Sequence, residues 1–416
     1  MRKLIALSLI QLTFLAACGG GGGYVGGGGG GPPPPSQNIA TPGPPNVESI
    51  TVDSGPAGGS AVNTAYVSIQ ICVPNNPGLC QTIDHIEVDT GSTGLRLLVG
   101  AGGLNLTSVP LPQETNGTAG VFLTECLQFA DGSSYGSLRT ADITLPVSMK
   151  TASSVVVQVI GDPAYPTVPS DCPGPAENTI TAFGANGILG VGPFAQDCGN
   201  ACVAGVVPHT YYSCPSSSTC GASTATLAQQ VQNPATLFTS DNNGVIVELP
   251  PVGSTGAGII TGSLVFGIGT QSNNGLGSAT VLPEDPNTGL ISATYKGTAY
   301  SHGFIDSGSN GNFFTDSSIS PCPMPNQGFY CPTSIMMETA TLQGTSTTTS
   351  AANFSVANAN TLFATLSYSA FSNLGGANPD PMGFDLGLPF FYGLNVYTAF
   401  ETATNAGGQS GPYFAY

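Results

Sequence analysis

Two short segments of the chain place an aspartate in the same local sequence. Residues 86–92 read Ile-Glu-Val-Asp-Thr-Gly-Ser and residues 303–309 read Gly-Phe-Ile-Asp-Ser-Gly-Ser, so Asp89 and Asp306 occupy matching positions. One copy alone could be an Asx turn that satisfies its own backbone, but two copies in matched contexts favour a site. In each copy the glycine permits a sharp turn, and hydroxyl and amide groups can donate hydrogen bonds to the carboxylate.

The repeat predicts a pair of carboxyls that act together. If the two turns face each other, the carboxyls of Asp89 and Asp306 cannot both ionise, and they share one proton. The ionised member can remove a proton from a bound water while the protonated member polarises a carbonyl group. This general acid and base chemistry suits the hydrolysis of an amide bond. A coupled pair also predicts a bell-shaped pH profile with an acidic optimum.

A rigid scaffold must position the two turns, and the surrounding sequence predicts an all-β one. Short strand-like runs, such as residues 66–71 and 245–249, alternate with clusters of Gly, Pro, Asn and Ser. The 58 glycines and 34 prolines follow no strict repeat, as expected for many tight turns between short strands. Residues 225–232 are the best candidate for a short helix.

Each aspartate turn also has a downstream glycine signature, which makes the repeat an internal duplication. Residues 186–192 read Asn-Gly-Ile-Leu-Gly-Val-Gly, and residues 383–389 read Gly-Phe-Asp-Leu-Gly-Leu-Pro. The chain is longer than a single hydrophobic core of about 250–300 residues allows. We therefore predict two lobes, over residues 48–250 and 251–416, with one aspartate turn in each.

These motifs resemble those of the pepsin-like aspartic peptidases over most of residues 60–416. The resemblance implies an all-β, bilobal double barrel with the active cleft between the two lobes. It implies an endopeptidase that cleaves peptide or protein substrates with Asp89 and Asp306 as the catalytic dyad, without a metal or cofactor. It further implies that hydroxyls of the two turns bond the outer carboxylate oxygens or brace one turn against the other. The dyad-supporting residues that it implies are Thr90, Gly91, Ser92, Ser307, Gly308 and Ser309.

A predicted hairpin resembles the flap with which this family covers its substrate. Residues 129–136 read Phe-Ala-Asp-Gly-Ser-Ser-Tyr-Gly. For the tyrosine, a place in the strand core is an equal alternative. The segment also fits the Gly-x-Ser-x-Gly form of a nucleophile elbow, but the residues after it predict a strand rather than the helix an elbow needs. The flap and substrate-binding residues implied by the resemblance are Phe129, Asp131, Gly132, Ser133 and Tyr135.

Three positions depart from the family's pattern. Phe129 stands where the flap usually carries tyrosine, and Arg96 stands where a tryptophan usually supports the first turn. Asp385 occupies a normally apolar position in the second glycine signature, and a third carboxyl near the dyad would perturb its shared proton. The alternative function is therefore a catalytically inactive pepsin-fold protein that binds or assembles components of the cell envelope.

The N-terminus has the form of an export signal. A charged start and an apolar run lead to Leu-Ala-Ala-Cys at residues 15–18, which resembles a bacterial lipoprotein cleavage site. The run is shorter than the roughly 20 residues that a membrane-spanning helix needs. We predict a signal peptide over residues 1–17, lipidation of Cys18 and a Gly/Pro-rich tether over residues 18–47. The protein would be anchored by lipid in the cell envelope, on the outer membrane. A secreted protein without lipid is the alternative.

Composition narrows the partners further. The chain has 6 Lys and Arg residues against 23 Asp and Glu residues, a formal net charge of −17, which argues against nucleic acid as a partner. Its three histidines show no metal-binding spacing, so no metal site is expected. We expect a monomer.

The 11 cysteines fit an exported protein. Without Cys18 ten remain, enough for five disulfides, although the sequence leaves their connectivity open. Zinc binding by four of them, Cys198, Cys202, Cys214 and Cys220, is a minor alternative. The pairings considered are Cys72 with Cys80, Cys198 with Cys202, Cys214 with Cys220, Cys322 with Cys331, and Cys126 with Cys172.

Overall fold

A computed structural model describes residues 37–100, 102–130 and 132–416. The predicted signal peptide, the predicted lipidation site Cys18, most of the predicted tether and the flap residue Asp131 lie outside the described residues. Within the described part of the chain, no helix is long and apolar enough to cross a membrane.

The first half of the described chain consists mainly of short strands, many of which alternate buried and partly exposed residues. In chain order these are β1 (Val47–Val52), β2 (Ala65–Val73), β3 (Asn76–Asp89), β4 (Thr93–Leu98), β5 (Phe122–Gln128), β6 (Ser133–Thr144), β7 (Thr151–Ile160), β8 (Gly187–Val191), β9 (Tyr211–Ser216), β10 (Thr219–Ala222) and β11 (Gly244–Glu248).

The second half continues in the same way. Its strands are β12 (Ile260–Phe266), β13 (Val281–Pro283), β14 (Ile291–Tyr295), β15 (Thr298–Ile305), β16 (Asn312–Phe314), β17 (Met336–Gln343), β18 (Thr349–Val356), β19 (Gly375–Gly376), β20 (Gly383–Leu386), β21 (Asn395–Ala399) and β22 (Tyr413–Ala415).

The helices of the described residues are all short. They are α1 (Ile180–Phe183), α2 (Asn200–Ala204), α3 (Ala359–Phe363) and α4 (Leu388–Phe391), with 3₁₀ turns at Leu227–Gln229 and Pro234–Leu237. The helix predicted over residues 225–232 is thus only one 3₁₀ turn. Gln230 takes an extended conformation, and its side-chain amide donates to the carbonyls of Gly199 and Ala225, so the helix ends there.

The strands form two sheets. The larger has 15 strands in the order β10-β9-β5-β6-β7-β4-β8-β3-β2-β1-β12-β11-β21-β22-β13, and the smaller has seven in the order β18-β17-β14-β15-β20-β16-β19. We refer to strands β2–β10 as lobe 1 and to strands β14–β20 as lobe 2. The strands on either side of residue 250, β11 and β12, pair with each other in the larger sheet. The predicted division at residue 250 stays a prediction.

The same three-strand unit occurs once in each lobe. In lobe 1, β8 pairs parallel with β3 and antiparallel with β4, and in lobe 2, β20 pairs parallel with β15 and antiparallel with β16. Val88 and Leu189 of the first unit and Ile305 and Leu386 of the second belong to one buried apolar core. The predicted fold class, an all-β bilobal pepsin-like fold, is confirmed by this architecture.

Five disulfides reinforce the loops. They join Cys72 to Cys80, Cys126 to Cys172, Cys198 to Cys202, Cys214 to Cys220, and Cys322 to Cys331. Four of the bonds close short loops, and the bond of Cys126 to Cys172 spans 46 residues. The four cysteines considered for zinc are therefore paired in disulfides, and the described residues contain no group of three or more potential metal ligands.

Candidate active site

The first aspartate turn follows directly from strand β3. Asp89 is the last residue of that strand, and its side chain is 1% exposed because the three-strand unit surrounds it. Its carboxylate oxygen Oδ1 accepts hydrogen bonds from the backbone amides of Gly91 at 2.8 Å and Ser92 at 3.1 Å. Two backbone amides of the turn therefore fix the position of this oxygen.

The second turn has the same backbone path but a different set of donors. The Asp306 oxygen Oδ1 accepts from the backbone amide of Gly308 at 2.8 Å, while Oδ2 accepts from the hydroxyl of Ser309 at 3.1 Å. The amide of Ser309 bonds the Asp306 backbone carbonyl instead. Asp306 is completely buried.

The hydroxyls next to the two aspartates tie the turns together. The amide of Ser307 donates to Thr90 Oγ1 at 2.9 Å, and the amide of Thr90 donates to Ser307 Oγ at 3.1 Å. Each hydroxyl also donates onward across the interface, Ser307 Oγ to the Val88 carbonyl at 2.7 Å and Thr90 Oγ1 to the Ile305 carbonyl at 3.4 Å. This reciprocal pattern holds one turn against the other.

The glycine of each turn faces the opposite carboxyl. A Cβ atom on Gly91 would lie 2.5 Å from Asp306 Cγ, and a Cβ on Gly308 would lie 2.6 Å from Asp89 Oδ1. Real Cβ atoms do not approach other heavy atoms so closely. The two turns can therefore meet only with glycine at both positions. These glycines support the dyad by leaving room for the opposite carboxyl.

The carboxyls of Asp89 and Asp306 lie at the contact between the two turns, close enough for the charge of Asp89 to act on Asp306. Outside the dyad, no donor in the described residues reaches Asp89 Oδ2. Burial is the largest cause that holds the pKa of Asp306 well above its usual range, and the nearby charges of Asp89 and then Asp385 raise it further. Asp306 therefore holds a proton more readily than an ordinary aspartate does.

Asp385 adds a third carboxyl behind the second turn. It is fully buried on β20, where it pairs with Phe304 of β15 and Phe313 of β16. Its oxygen Oδ2 lies 2.6 Å from Ser309 Oγ, the hydroxyl that also contacts Asp306. Burial holds the pKa of Asp385 well above its usual range; the Ser309 hydrogen bond lowers it, and Asp89 raises it.

Arg96 occupies a buried ionic cluster behind the first turn. Its guanidinium donates to the Thr93 carbonyl at 2.6 Å and, through Nη2, to Glu125 Oε1 and Asp197 Oδ2 at 3.0 Å each. The hydroxyl of Tyr211 donates to Asp197 Oδ1 at 2.5 Å. The sequence identifies Arg96 but not its partners, although an arginine inside an apolar strand signals that buried acids must lie nearby.

The tip of the predicted flap, the hairpin of β5 and β6, is covered by a neighbouring segment. The amide of Ser133 donates to the Pro175 carbonyl at 2.8 Å, and a Cβ atom on Gly132 would lie 2.6 Å from that same oxygen. The disulfide between Cys126 and Cys172 ties this segment to β5. The hairpin tip is thus held on one side by a covalent and a hydrogen-bonded contact.

The two aromatic side chains predicted for the flap lie inside lobe 1. Phe129 is buried and packs edge-on against Phe183, with ring centroids 5.9 Å apart. Tyr135 is also buried, and its hydroxyl donates to Thr124 Oγ1 at 3.1 Å. The structure thus gives Tyr135 the strand-core environment that the sequence left as an equal alternative. Substrate contact by either residue stays a prediction.

Comparison with known proteins places the chain in a family. It belongs to the family described as protein of unknown function (DUF3443), whose model matches residues 42–416. Among solved structures it is similar to an aspartic proteinase from Irpex lacteus, with 18% sequence identity and a TM-score of 0.49. That match covers 89% of this chain and 96% of the other. No curated protein matches the sequence.

Proposed function

We propose that this member of the DUF3443 family is an aspartic-type endopeptidase that works at acidic pH. One observation carries the proposal: two buried aspartate carboxyls lie at the contact between matching turns, and the glycine of each turn lies against the carboxyl of the other. Two carboxyls in such a site cannot both ionise, so the proposed pair shares one proton and contains one acid and one base in the same place.

The proposed reaction follows from the two protonation states. Asp89, whose carboxylate is held by two amides, removes a proton from a water placed between the carboxyls. Asp306 gives its proton to the oxygen of the scissile carbonyl as the water oxygen bonds to the carbonyl carbon. When this tetrahedral intermediate collapses, the C–N bond breaks and Asp89 returns a proton to the leaving nitrogen. At the same time Asp306 takes back the proton of the hydroxyl that re-forms the carbonyl, which restores the starting pair. The free carboxylic acid and amine are released.

Substrate entry requires a movement in this proposal, because both carboxyls are buried in the structure. The β5–β6 hairpin is the element proposed to cover the substrate. Gly132 at its tip is proposed to contact an extended peptide, because the backbone amide and carbonyl of Ser133 are already bonded to Pro175 and Glu177. The proposed substrates are therefore unfolded or flexible segments of proteins.

The test uses the full-length chain in detergent with a denatured protein substrate between pH 3 and 8. We expect cleavage that is strongest on the acidic side. Asp89→Asn and Asp306→Asn should each lower the rate by at least about 1,000-fold, because either change removes the acid–base pair. Circular dichroism should show that both variants keep the parent fold. A folded parent that cleaves nothing over this range would refute the proposal.

One observation favours the alternative, an inactive protein that binds or assembles envelope components. A cavity of about 370 Å³ beside Tyr66 and His85, and one of about 260 Å³ beside Lys150 and Phe238, both lie away from the dyad. A cavity outside the dyad could receive a partner without any need for catalysis. Under this alternative the parent and the two Asp→Asn variants would be equally inactive and equally stable.

We also propose that the chain is a bacterial lipoprotein of the cell envelope, anchored on the outer membrane through Cys18. The support is the sequence Leu-Ala-Ala-Cys at residues 15–18 and the glycine and proline tether that follows. Mass spectrometry of the mature protein tests this directly. A diacylated N-terminal Cys18 is expected, and an unmodified N-terminus elsewhere would overturn the anchor.

A further inference from the structure

Asp385 has no counterpart in the other half of the duplication. In lobe 2 it lies opposite Phe313 on the antiparallel neighbour strand, and in lobe 1 the same register position, opposite Arg96, holds Ile188. Both positions are buried. The two three-strand units therefore differ at this point by one carboxyl group, and the apolar residue at the equivalent position shows that the fold does not need an acid there.

The contacts of Ser309 require a proton from Asp385 or Asp306. Its hydroxyl carries one hydrogen, yet its oxygen lies within hydrogen-bonding distance of Asp385 Oδ2 and of Asp306 Oδ2. One of the two contacts must be made by a protonated carboxyl that donates to the hydroxyl oxygen. With one further proton shared between Asp306 and Asp89, as in the proposed function, the three carboxyls hold two protons.

We propose that Asp385 is a positioning residue of the dyad, a third carboxyl that releases its proton before Asp306 does and thereby keeps the last proton on the dyad. This inference rests on the proposed function and deepens it. At pH values low enough for Asp385 to keep its proton, Asp385 donates to Ser309, and Ser309 donates to Asp306. Asp306 in turn donates to the Asp89 carboxylate. On release one proton passes to the solvent, and the hydroxyl of Ser309 turns from Asp306 to the Asp385 carboxylate.

The charge on Asp89 explains why Asp385 releases its proton first, although Asp385 Oδ1 has no hydrogen-bond partner in the described residues. The ionised Asp385 receives the Ser309 hydroxyl at 2.6 Å, whereas loss of the Asp306 proton would leave two adjacent negative charges in the dyad. The titratable groups that act on Asp385 are Asp89 and Asp306. Its register neighbours on the flanking strands, Phe304 and Phe313, carry no charge.

The consequence is a wider working range toward neutral pH. A negative charge on Asp385 makes ionisation of Asp306 less favourable, so the dyad keeps its shared proton to a higher pH than two carboxyls alone would. Removal of that charge should therefore move the alkaline limb of the activity profile to lower pH. The acidic limb of the activity profile should stay in place, because Asp385 is neutral at that pH.

The experiment compares pH profiles of kcat/KM for the full-length parent and for Asp385→Asn. Asparagine is close in shape, stays neutral and can still donate to Ser309. We expect the alkaline limb to move down by about one pH unit and the acidic limb to move by less than about 0.3 unit. Asp285→Asn is the matched control, because Asp285 lies in an exposed turn that asparagine also accommodates, and its profile should equal that of the parent.

A second variant separates the charge from the hydrogen bond. Asp385→Ile copies the residue of lobe 1, and it removes both the charge and the partner of Ser309. It should show the same shift of the alkaline limb and, in addition, a kcat lowered by about 10-fold. An alkaline limb that stays in place in both folded variants would overturn the proposal, as would a shift to higher pH.

A direct titration keeps this inference separate from the proposed function. Carbon-13 NMR of the parent, labelled at aspartate Cγ and assigned through bonds to the backbone, follows each carboxyl without any activity. We expect the Asp385 resonance to titrate at lower pH than that of Asp306. The reverse order would overturn the inference even in an active enzyme, and the expected order in a protein that cleaves nothing would refute only the peptidase proposal.

Discussion

In the first aspartate turn both bonds to the carboxylate come from backbone amides, whereas in the second a serine hydroxyl supplies one of them. Behind the first turn lies a buried arginine with two acids, and behind the second lies a single buried acid. The backbone of the duplicated unit is thus the same while its electrostatic support differs. This difference teaches that a symmetric scaffold can surround two equivalent carboxyls with different hydrogen-bond donors and different neighbouring charges.

The largest expected effect is a loss of activity when the glycine present in both turns is replaced. Gly91→Ala and Gly308→Ala would each push a methyl group into the opposite carboxyl, and the turns would have to separate. A displacement of about 1 Å at reacting groups lowers kcat/KM by about 100-fold or more, and we expect this loss in both variants. Kinetics on the denatured protein substrate measures it.

Gly205→Ala is the control for these glycine variants, because a Cβ atom at Gly205 meets no atom within 4 Å. It should keep the parent activity. If either Gly91→Ala or Gly308→Ala retained activity within about threefold of the parent, the close approach of the two turns would not be needed for the reaction.

The next effect tests what supports the first turn alone. Arg96→Met leaves Glu125 and Asp197 buried without their cation, which should lower the free energy of unfolding by about 3–5 kcal/mol at pH 7. Burial already holds the pKa of Glu125 well above its usual range, and loss of Arg96 raises it further. Such a group keeps its proton in the folded state after the unfolded chain has lost it, so stability falls as pH rises above about 4.

The loss in Arg96→Met should therefore be smaller at pH 4 than at pH 7, as urea unfolding at the two pH values would measure. Lys296→Met is the control in lobe 2, because Lys296 is 47% exposed beside its two acids. Its effect should stay below about 1 kcal/mol. A variant of Arg96 that loses more stability at pH 4 than at pH 7 would contradict this account of the cluster.

The smallest effect separates the two serines that end the turns. Ser309→Ala removes a hydroxyl with two carboxyl partners and should cost about 1–3 kcal/mol of unfolding free energy. Ser92→Ala should change it by less than about 0.5 kcal/mol, because Ser92 Oγ is buried without a hydrogen-bond partner in the described residues. Thermal unfolding of both variants provides the comparison, and equal losses would show that the two turns are supported alike.

The role implied for Ser92 shows which details of the site could not be predicted from the sequence. The resemblance implied that the hydroxyls of both terminal serines bond the outer carboxylate oxygens. Ser309 makes this bond, but at Ser92 the backbone amide makes a bond to Asp89 instead. The serine is the same in both turns, and the difference lies in the neighbour, since Ile188 offers no acceptor where Asp385 does. The residue on the neighbouring strand decides which hydrogen bond the serine makes. A local sequence motif carries no information about that residue.

The acids that pair with Arg96 could not be predicted from the sequence either. The sequence shows an arginine within an apolar strand, and burial of its charge demands partners. The partners, Glu125 on β5 and Asp197 before α2, come from segments far along the chain. No sequence pattern relates these acids to Arg96, so they can be identified only from the folded structure.

By itself, the sequence determined the all-β class, the duplication and the identity of the paired aspartates, because strand periodicity, turn glycines and a repeated motif are local properties of the chain. Tertiary structure decided which hydrogen-bond donors surround each carboxyl and which charged groups stand behind each turn. The physical reason is that protonation depends on burial, hydrogen-bond donors and neighbouring charges, and these are brought together from both lobes only when the chain folds.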